Sequence, residues 1–319
     1  MMAALEVKVT RRRFEADGID SFELMLPDGG ELPPFRAGAH IDLVAPNGMV
    51  RQYSLCNHPR ERQRYVIGVL RDPRSRGASR SIHAQLSEGD VVQISAPRNH
   101  FALAGAGRSL LLAAGIGVTP LMCMAHELHQ GGADFTLHYC ARSRSRAAFT
   151  AALATSGYAD RVRLHFDDED PSQQLDLAAL LASPDLETHV YVCGPAGFIE
   201  LVRSHARAGG WRASHIHVEH FGAAPQDLPE PGSFDVTIVS SGKTIRVDAA
   251  SSVAEALARH GVMVPVSCME GVCGTCITGV LDGVPEHRDC YFSEEEKARN
   301  DQFMPCCSRA RSTSLLLDL

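Results

Sequence analysis

No stretch of this sequence is apolar for long enough to cross a membrane, because none approaches the roughly 20 apolar residues that a transmembrane helix needs. The charged run at 11–13 follows the weak apolar stretch near the start instead of preceding it, which is the reverse of a secretory signal peptide. Low-complexity tracts are missing as well. These absences predict a globular, cytoplasmic protein with no membrane partner.

Excess positive charge is also absent, since 31 Lys and Arg face 38 Asp and Glu and leave a net charge of −7. A mildly acidic chain is a poor match for nucleic acid, so we expect no nucleic-acid partner. Residues 233–319 are the most acidic part relative to their length, with 12 Asp and Glu against 8 Lys and Arg. Such a surface suits docking to a basic partner and suits plain solubility equally well. We expect the chain to act as a monomer.

The regular cysteine framework of a small secreted domain is absent, although the chain has ten cysteines. Most of them lie in apolar or motif contexts, which favours a reducing compartment. The length of 319 residues exceeds one ordinary core and fits two or three domains. We therefore expect a multidomain chain with reduced thiols.

Four of the cysteines have the spacing of an iron–sulfur site. Cys268, Cys273 and Cys276 form a C-x4-C-x2-C run, and Cys306 follows thirty positions later, as in plant-type [2Fe–2S] sites. Two glycines inside the loop let the backbone come close to a cluster and turn N–H groups toward its sulfurs. The alternatives are a structural zinc site and a set of unligated thiols, but zinc sites favour two C-x2-C-like pairs and only one is present. The pattern predicts a [2Fe–2S] cluster.

The first hundred residues alternate apolar and polar positions in short segments such as SFELML, HIDLVA and RYVIGVL, separated by turn residues. This pattern predicts a small antiparallel β-barrel. One of its strands carries Arg51, Tyr53 and Ser54, which offer a phosphate clamp, a stacking face and a hydrogen-bond donor. The alternative is an ordinary edge strand with an exposed arginine and a half-buried tyrosine.

A second segment of the barrel region offers an anion site. Gly77, Ala78 and Ser79 precede the helical segment IHAQLSEGD, and the start of a helix presents backbone N–H groups and the positive end of the helix dipole. Arg51 and this helix start would together hold one phosphate monoester. Ser79 also suits the N-cap of the helix, which is the purely structural alternative.

After the barrel region the pattern changes to apolar strands alternating with helical segments, which predicts βαβ units on a parallel, nucleotide-binding sheet. The apolar run at 110–114 ends in GIGVTP, and the strand THVYVC ends in a Cys-Gly-Pro turn. Two such strand ends would lie side by side at the carboxyl edge of the sheet, where ligands bind. The residues that these turns offer to a nucleotide are Gly115, Gly117, Val118, Thr119, Cys193, Gly194 and Pro195.

Together these motifs resemble a known family. Arg51-x-Tyr53-Ser54 followed by a Gly-x-Ser helix start resembles the flavin-binding barrel of the ferredoxin-reductase superfamily, and the order of modules resembles the phthalate dioxygenase reductase and vanillate demethylase reductase family. The resemblance implies that Arg51 and the 77–79 segment contact a flavin phosphate. It places Tyr53 along the isoalloxazine ring and Ser54 near its N5. It also implies FMN, since no insertion for the adenine of FAD is found within 97–110.

The same resemblance covers the nucleotide module. It implies that Cys193 lies beside the nicotinamide and positions it without acting as a nucleophile. Phe221 would lie against the flavin, and the plain alternative is a phenylalanine that closes the core of the last strand. Ser54, Cys193 and Phe221 are thus the residues expected at the reacting rings. The implied donor is NADH, although the arginine-rich run 141–146 would equally grip the 2′-phosphate of NADPH, hold a ribose or face solvent.

The last part of the chain resembles a β-grasp ferredoxin. The segment FDVTIVSSGKTIRVD predicts a hairpin, and SSVAEALARHG predicts an amphipathic helix capped by Ser251 or Ser252 and ended by Gly261. Cys306 and Cys307 are adjacent, and the family pattern makes Cys306 the fourth ligand and Cys307 a spare thiol.

The expected fold is multidomain. It consists of an antiparallel β-barrel that binds FMN over 1–105, an α/β parallel-sheet NAD-binding domain over 106–223, a proline-rich linker over 224–232, and an α+β, β-grasp ferredoxin domain over 233–319.

These modules predict an enzyme that passes electrons from NADH through FMN and the [2Fe–2S] cluster. The resemblance implies that the acceptor is the Rieske-type oxygenase of a two-component system acting on an aromatic or similar small substrate. The protein needs no acid–base pair or nucleophile for this task. One alternative is a reductase for a heme or diiron monooxygenase. Another is a non-enzymatic iron–sulfur protein, against which the intact Arg51 and Gly117 motifs argue.

Overall fold

The computed structural model describes residues 4–73, 75–105, 107–185, 187–222 and 232–319. The chain divides into two compact units, residues 1–221 and 222–319. The predicted linker at 224–232 lies outside the described residues except for its last position. Among the helices of the described residues, none has both the length and the apolarity to span a membrane.

A β-barrel forms the first part of the larger unit. Its strands are joined antiparallel in the order β4-β3-β6-β1-β2-β5, with β7 added beside β3. Leu55 follows β4 directly, and Ile67 lies within β5. A bridge between these two residues links the two ends of the sheet. The elements are β1 (Ala4–Ala16), β2 (Ile19–Met25), β3 (Ala39–Val44), β4 (Val50–Ser54), β5 (Tyr65–Leu70), α1 (Ala78–Gln85), β6 (Val91–Ser95) and β7 (Arg98–Asn99).

A parallel sheet follows in the same unit, with strand order β10-β9-β8-β11-β12. The central strand β8 is buried along nearly its whole length, as the continuous apolar run at 110–114 predicts. The elements are β8 (Arg108–Ala114), α2 (Val118–Gln130), β9 (Asp134–Ala141), α3 (Thr150–Ala154), β10 (Val162–Phe166), α4 (Leu177–Leu181), β11 (Thr188–Cys193), α5 (Ala196–Ala208) and β12 (Ile216–Glu219).

The barrel and the sheet share one hydrophobic core. Phe22 and Ile41 of the barrel belong to the same buried cluster as Leu111, Leu137 and Tyr191 of the sheet. The opposite face of the sheet packs in a separate cluster against α4 and α5. Each such side chain contributes about 1.5–3 kcal/mol when it is fully buried, so pulling the barrel from the sheet would expose a large part of the core. This sharing explains why the two predicted modules form one compact unit.

The smaller unit has its own core and a mixed sheet in the order β14-β13-β19-β15-β17, with a separate β16-β18 pair. The predicted hairpin is the antiparallel β13-β14 pair. Its elements are β13 (Phe234–Ile238), β14 (Thr244–Val247), α6 (Val253–Arg259), β15 (Thr278–Asp282), β16 (Pro285–Glu286), α7 (Glu294–Arg299), β17 (Gln302–Phe303), β18 (Arg309–Ala310) and β19 (Ser314–Asp318). Helix α6 begins with a capping box between Ser252 and Glu255, and Gly261 follows its end at φ +81°.

A buried arginine ties together three segments of the smaller unit. Arg309 is only 5% exposed, and its guanidinium donates to the carbonyl oxygens of Gly232, Asp248 and Ser251 at 2.8, 3.1 and 2.7 Å. It also lies over the ring of Phe234, with 5.1 Å between the guanidinium carbon and the ring centroid. The guanidinium therefore supplies donors to backbone acceptors at Gly232, just before β13, and in the turn before α6.

Two histidine pairs bridge neighbouring strands of the parallel sheet. His138 Nδ1 lies 3.0 Å from His165 Nε2, and His189 Nδ1 lies 2.8 Å from His217 Nε2. Burial, aided by the neighbouring imidazoles, lowers the pKa of His138 and of His217 to about 4. One ring of each pair must therefore stay neutral for the hydrogen bond to persist.

Acid should destabilise the larger unit through these pairs. The folded pKa of about 4 lies below the ordinary value of 6.5, so the unfolded chain binds more protons between these pH values, and stability is lost as pH falls from 6.5 toward 4. The slope is at most about 1.4 kcal/mol per pH unit for each histidine, and solvent screening reduces it. Urea unfolding followed by fluorescence of Trp211, the one tryptophan in the sequence, measures it.

The matched variant for that measurement is His138→Gln, which keeps a donor toward His165 and cannot be protonated. It should show a shallower fall in stability between pH 6.5 and 4.5 than the wild type, whereas His205→Gln, a histidine of α5 outside the pairs, should not. An unchanged slope in His138→Gln would contradict the assignment.

Candidate functional site

Two glycine turns interlock at the carboxyl edge of the parallel sheet. Strands β8 and β11 are neighbours, with Ala113 in register with Cys193. A Cβ at Gly117 would lie 2.2 Å from the Cys193 carbonyl oxygen, and one at Gly194 would lie 2.9 Å from the Ala114 Cβ. Any side chain at Gly117 would therefore collide with backbone. The adjacency of the two strand ends that the sequence predicts is present.

The outer side of the first turn is open. Gly115 has φ +55°, and a Cβ there would meet nothing within 4 Å. Val118 and Thr119 are instead buried, and the Thr119 hydroxyl donates to the Ile116 carbonyl at 3.0 Å. Pro195 is exposed at the start of α5. The turn thus offers backbone and open space to a ligand, while the Thr119 hydroxyl stabilises the turn itself.

Strand β4 carries the three predicted flavin residues at the end of the barrel sheet. Arg51 and Tyr53 are half-buried, and the Arg51 guanidinium donates to the carbonyl of Val50 at 2.7 Å. Burial raises the pKa of Tyr53 well above its usual range, so this phenol stays neutral. Ser54, the last residue of the strand, is buried and donates to Glu219 Oε2 at 3.2 Å.

Glu219 is a residue of the site that the sequence analysis did not identify. It ends β12 directly opposite Cys193, the last residue of β11. Burial raises the pKa of Glu219 to about 8, against the opposing effect of the hydrogen bond from Ser54. At neutral pH its carboxyl group is therefore mostly protonated. The signal was available in the sequence, since an acidic residue at the carboxyl end of the last parallel strand shares the sheet edge with the two glycine turns.

The other two residues expected at the reacting rings lie beside Glu219. Cys193 is fully buried, and burial raises the pKa of its thiol well above the ordinary value. An uncharged, buried thiol is a poor nucleophile, so only a positioning role fits. Phe221 lies two residues beyond Glu219 and is 40% exposed, which does not fit the alternative of a phenylalanine closing the core.

The start of α1 differs from one expectation. Gly77, at φ +119°, is the N-cap, and Ser79 lies inside the helix with its hydroxyl donating to Ser75 Oγ at 3.1 Å, so the N-cap alternative for Ser79 is wrong. Only glycine adopts such a φ easily. A Cβ on Gly77 would lie 3.5 Å from Asn47 Nδ2 and 4.0 Å from Arg80 Nη2.

This helix start has the properties of a phosphate cradle. The first turn of α1 contains no acidic side chain, and the side-chain amide of Asn47 and the guanidinium of Arg80 lie beside Gly77. Ala78 and Ser79 are nearly fully buried. A phosphate monoester fits these donors and the helix dipole.

The predicted cluster ligands are all buried, with Cys306 between β17 and β18 and the other three in the irregular loop between α6 and β15. Gly271 and Gly274 have φ of +71° and +69° within it. A Cβ at Gly271 would lie 2.6 Å from Cys307 Sγ and 2.9 Å from the Asp289 Cα, while one at Gly274 would strike the Tyr291 ring. These two positions therefore require glycine for both conformation and space. The exposed fractions are 4% for Cys268, 3% for Cys273, 2% for Cys276 and 6% for Cys306.

The thiols of the four predicted ligands lie close to one another. Cys273 lies within hydrogen-bonding reach of Cys268, and Cys276 lies within reach of Cys306, which is also within reach of Cys307. Among the described residues no group of three or more Cys, His, Asp or Glu side chains could hold a single metal ion. A [2Fe–2S] cluster needs only two cysteine thiolates on each iron. The contacts between Cys268 and Cys273 and between Cys276 and Cys306 fit that cluster.

Two other thiols flank this loop. Cys307 is partly buried, next to Cys306 in the chain, and its Sγ lies against Gly271. Cys290 is half-buried, and its backbone N–H donates to the Gly271 carbonyl at 3.2 Å. All ten cysteines fall in the described residues, and each is a free thiol.

Comparison with known proteins identifies relatives of this chain. Residues 236–311 match the family model of the 2Fe-2S iron-sulfur cluster binding domain. Over 317 residues the chain is 52% identical to the vanillate O-demethylase oxidoreductase of Pseudomonas putida, covering 99% of this chain and 100% of that protein.

Two solved structures are similar along nearly the whole chain. Phthalate dioxygenase reductase, described as a modular structure for electron transfer from pyridine nucleotides to [2Fe-2S], is 39% identical with a TM-score of 0.78 and coverage of 99% and 98%. An intact type IV self-sufficient cytochrome P450 monooxygenase is 38% identical with a TM-score of 0.85, over 99% of this chain and 41% of that one. The predicted fold class is confirmed. The chain belongs to the family of phthalate dioxygenase reductase and vanillate O-demethylase oxidoreductase.

Proposed function

We propose that this protein is the reductase component of a two-component, Rieske-type oxygenase system, passing electrons from NADH through FMN and a [2Fe–2S] cluster to the oxygenase. The observation that carries the proposal is the Ser54–Glu219 hydrogen bond. It joins the strand expected to face a flavin to the sheet edge expected to hold a nicotinamide. The four cysteines of the same chain would hold the cluster from which electrons leave the protein. Like its named relatives, the chain is an electron-transfer oxidoreductase.

The barrel residues would hold FMN at its two ends. The guanidinium of Arg51 and the backbone of Gly77, Ala78 and Ser79 bind the phosphate. Tyr53 stays neutral because burial keeps its phenol protonated, and its ring would face the isoalloxazine. Ser54 would lie near the reacting edge of the ring, and Glu219 fixes the direction of its hydroxyl.

The nucleotide residues would orient NADH without taking part in a proton transfer. Gly115, Gly117 and the backbone of Val118 and Thr119 accept the pyrophosphate in the open turn. The turn of Cys193, Gly194 and Pro195 orients the nicotinamide, and Phe221 covers the flavin where the nicotinamide must enter.

When bound, the flavin accepts the hydride of NADH and delivers its two electrons singly to the cluster. The chain contributes placement and electrostatics. Protonated Glu219 adds no charge beside Ser54 and Cys193, whereas an ionised carboxylate there would oppose the arrival of a negatively charged hydride. The cluster is held by Cys268, Cys273, Cys276 and Cys306, with Cys307 as a spare thiol.

The family supports the choice of acceptor, and the free thiols support the choice of compartment. An oxygenase that oxidises an aromatic or similar small substrate is the first candidate acceptor. A heme monooxygenase is the second, because the P450 structure described above contains a matching segment in one chain. Ten free thiols fit a reducing compartment, and we place the protein in the cytoplasm.

The visible spectrum of the purified protein tests this function. We expect flavin and iron–sulfur bands that bleach when NADH is added without oxygen. The added oxygenase should then reoxidise them faster than buffer does. A colourless protein that contains zinc would overturn the proposal, and bands that NADH leaves unchanged would overturn the electron path.

Replacing Glu219 tests whether the protonation of its carboxyl group affects the rate of flavin reduction. In the wild type, the rate of flavin reduction by NADH should fall as the pH rises through about 8, where Glu219 ionises. Glu219→Gln cannot ionise and should keep the rate of neutral pH through this range. Glu219→Ala removes the acceptor of the Ser54 hydroxyl, worth about 1 kcal/mol, and should slow reduction roughly fivefold. Stopped-flow absorbance measures all three, and a Gln variant with the same fall above pH 8 would contradict the role of Glu219.

The adjacent cysteines provide a matched pair of variants. Cys306→Ser should change the cluster spectrum and lower the iron content, because it removes a thiolate ligand. Cys307→Ser should leave both intact. Iron analysis and electron paramagnetic resonance of the reduced proteins decide between the two thiols, and the opposite result would make Cys307 the fourth ligand.

A further inference from the structure

The far end of the nucleotide site carries a contact that the electron path does not use. Strands β9 and β10 are neighbours, and the N–H of Asp167 donates to the Ala141 carbonyl at 3.1 Å, so the loops that follow both strands leave the sheet side by side. The loop after β9 contains the arginines of the 142–146 segment. The loop after β10 is the acidic run 167–170.

The order of strands places this pair of loops at the adenosine end. The pyrophosphate turn follows β8, and Cys193 ends β11 on one side of it, while β9 and β10 lie on the other side. A dinucleotide laid across the edge of the sheet with its nicotinamide at β11 therefore extends its adenosine ribose toward β9 and β10. The groups of the two loops after β9 and β10 would therefore meet its 2′ position.

Arg144 is engaged there by a carboxylate. Its Nε and Nη2 donate to the two oxygens of Glu169, the second at 3.0 Å, in a bidentate pair. Its guanidinium carbon also lies 4.6 Å from the centroid of the Phe166 ring. The fork formed by the guanidinium N–H groups of Arg144 would suit a phosphate, and it is thus occupied by an acidic side chain from the next loop.

The loop that carries Arg144 is also fixed from the barrel side. The Ser145 hydroxyl donates to Asp17 Oδ2 at 2.6 Å, and the Asp17 N–H donates to the Ser145 carbonyl at 2.8 Å. The loop therefore has its position before a nucleotide binds. Arg144 is held in place by Glu169 and Phe166, and its neighbour is held in place by Asp17.

We propose that Glu169 is a specificity-determining residue that makes the site select NADH over NADPH by occupying the Arg144 fork. The proposal rests on the proposed function, since it takes the nucleotide to bind along this sheet edge. A 2′-phosphate carries nearly two negative charges and would have to displace the carboxylate or lie against it. A ribose 2′-hydroxyl is neutral and can donate a hydrogen bond to a carboxylate, as acidic residues accept it in other dinucleotide sites.

The test compares NADH with NADPH as donors for anaerobic flavin reduction by the full chain. Glu169→Gln keeps the shape of the side chain and removes its charge, and it should raise the NADPH to NADH ratio of kcat/KM by about tenfold. Asp168→Asn removes a neighbouring charge and leaves the pair of Glu169 with Arg144 in place, so it should change the ratio less than about twofold. In Arg144→Gln/Glu169→Gln the gain should vanish, because the freed guanidinium is what would bind the phosphate.

The outcomes separate the two proposals. If NADH reduces the wild-type flavin but Glu169→Gln leaves the ratio unchanged, or if the gain survives without Arg144, the role of Glu169 is wrong and the proposed function stands. A wild type that prefers NADPH would also overturn the specificity role. If neither nucleotide reduces the flavin, the proposed function itself fails.

Discussion

The hydrogen bond from Ser54 to Glu219 depends on a hydrophobic core that belongs to the barrel and the sheet at once. Ser54 is the last residue of β4 and Glu219 the last residue of β12. Two strand ends from different sheets keep a 3.2 Å contact only when the elements beneath them cannot shift. The shared buried cluster supplies that rigidity. The reacting edge of the site is therefore set by apolar packing some distance below it.

The sheet edge itself is built mainly from backbone. Gly117 packs against the Cys193 carbonyl so closely that no side chain fits, and the hydroxyl of Thr119 donates to a carbonyl of its own turn. What remains for a ligand is the open side of the turn and N–H groups at helix starts. Side-chain chemistry enters at only a few points, such as Glu219, whose carboxyl group is kept mostly uncharged by burial.

Local patterns made much of this predictable from sequence. The cysteine spacing, the strand alternation and the glycine turns are short-range signals, and they were enough for the fold class and the family. The residues that were missed act through contacts between distant segments. Glu219 lies 165 positions from Ser54, and Glu169 lies 25 positions from Arg144. The N-cap of α1 was missed for another reason. Serine is common at helix N-caps, but here Gly77 takes that position, with a positive φ.

The buried guanidinium of Arg309 sets a lower limit on where the smaller unit can be cut from the rest. One of its three carbonyl partners belongs to Gly232, two positions before β13. A fragment that began after this position would keep the sheet, the helix α6 and the cysteine loop, yet it would leave a charged donor without one of its acceptors in a place that water hardly reaches. Because Arg309 lies three positions from Cys306, that loss would fall next to the cluster. The chain just before β13 is therefore part of the folded ferredoxin unit as well as a connection to it.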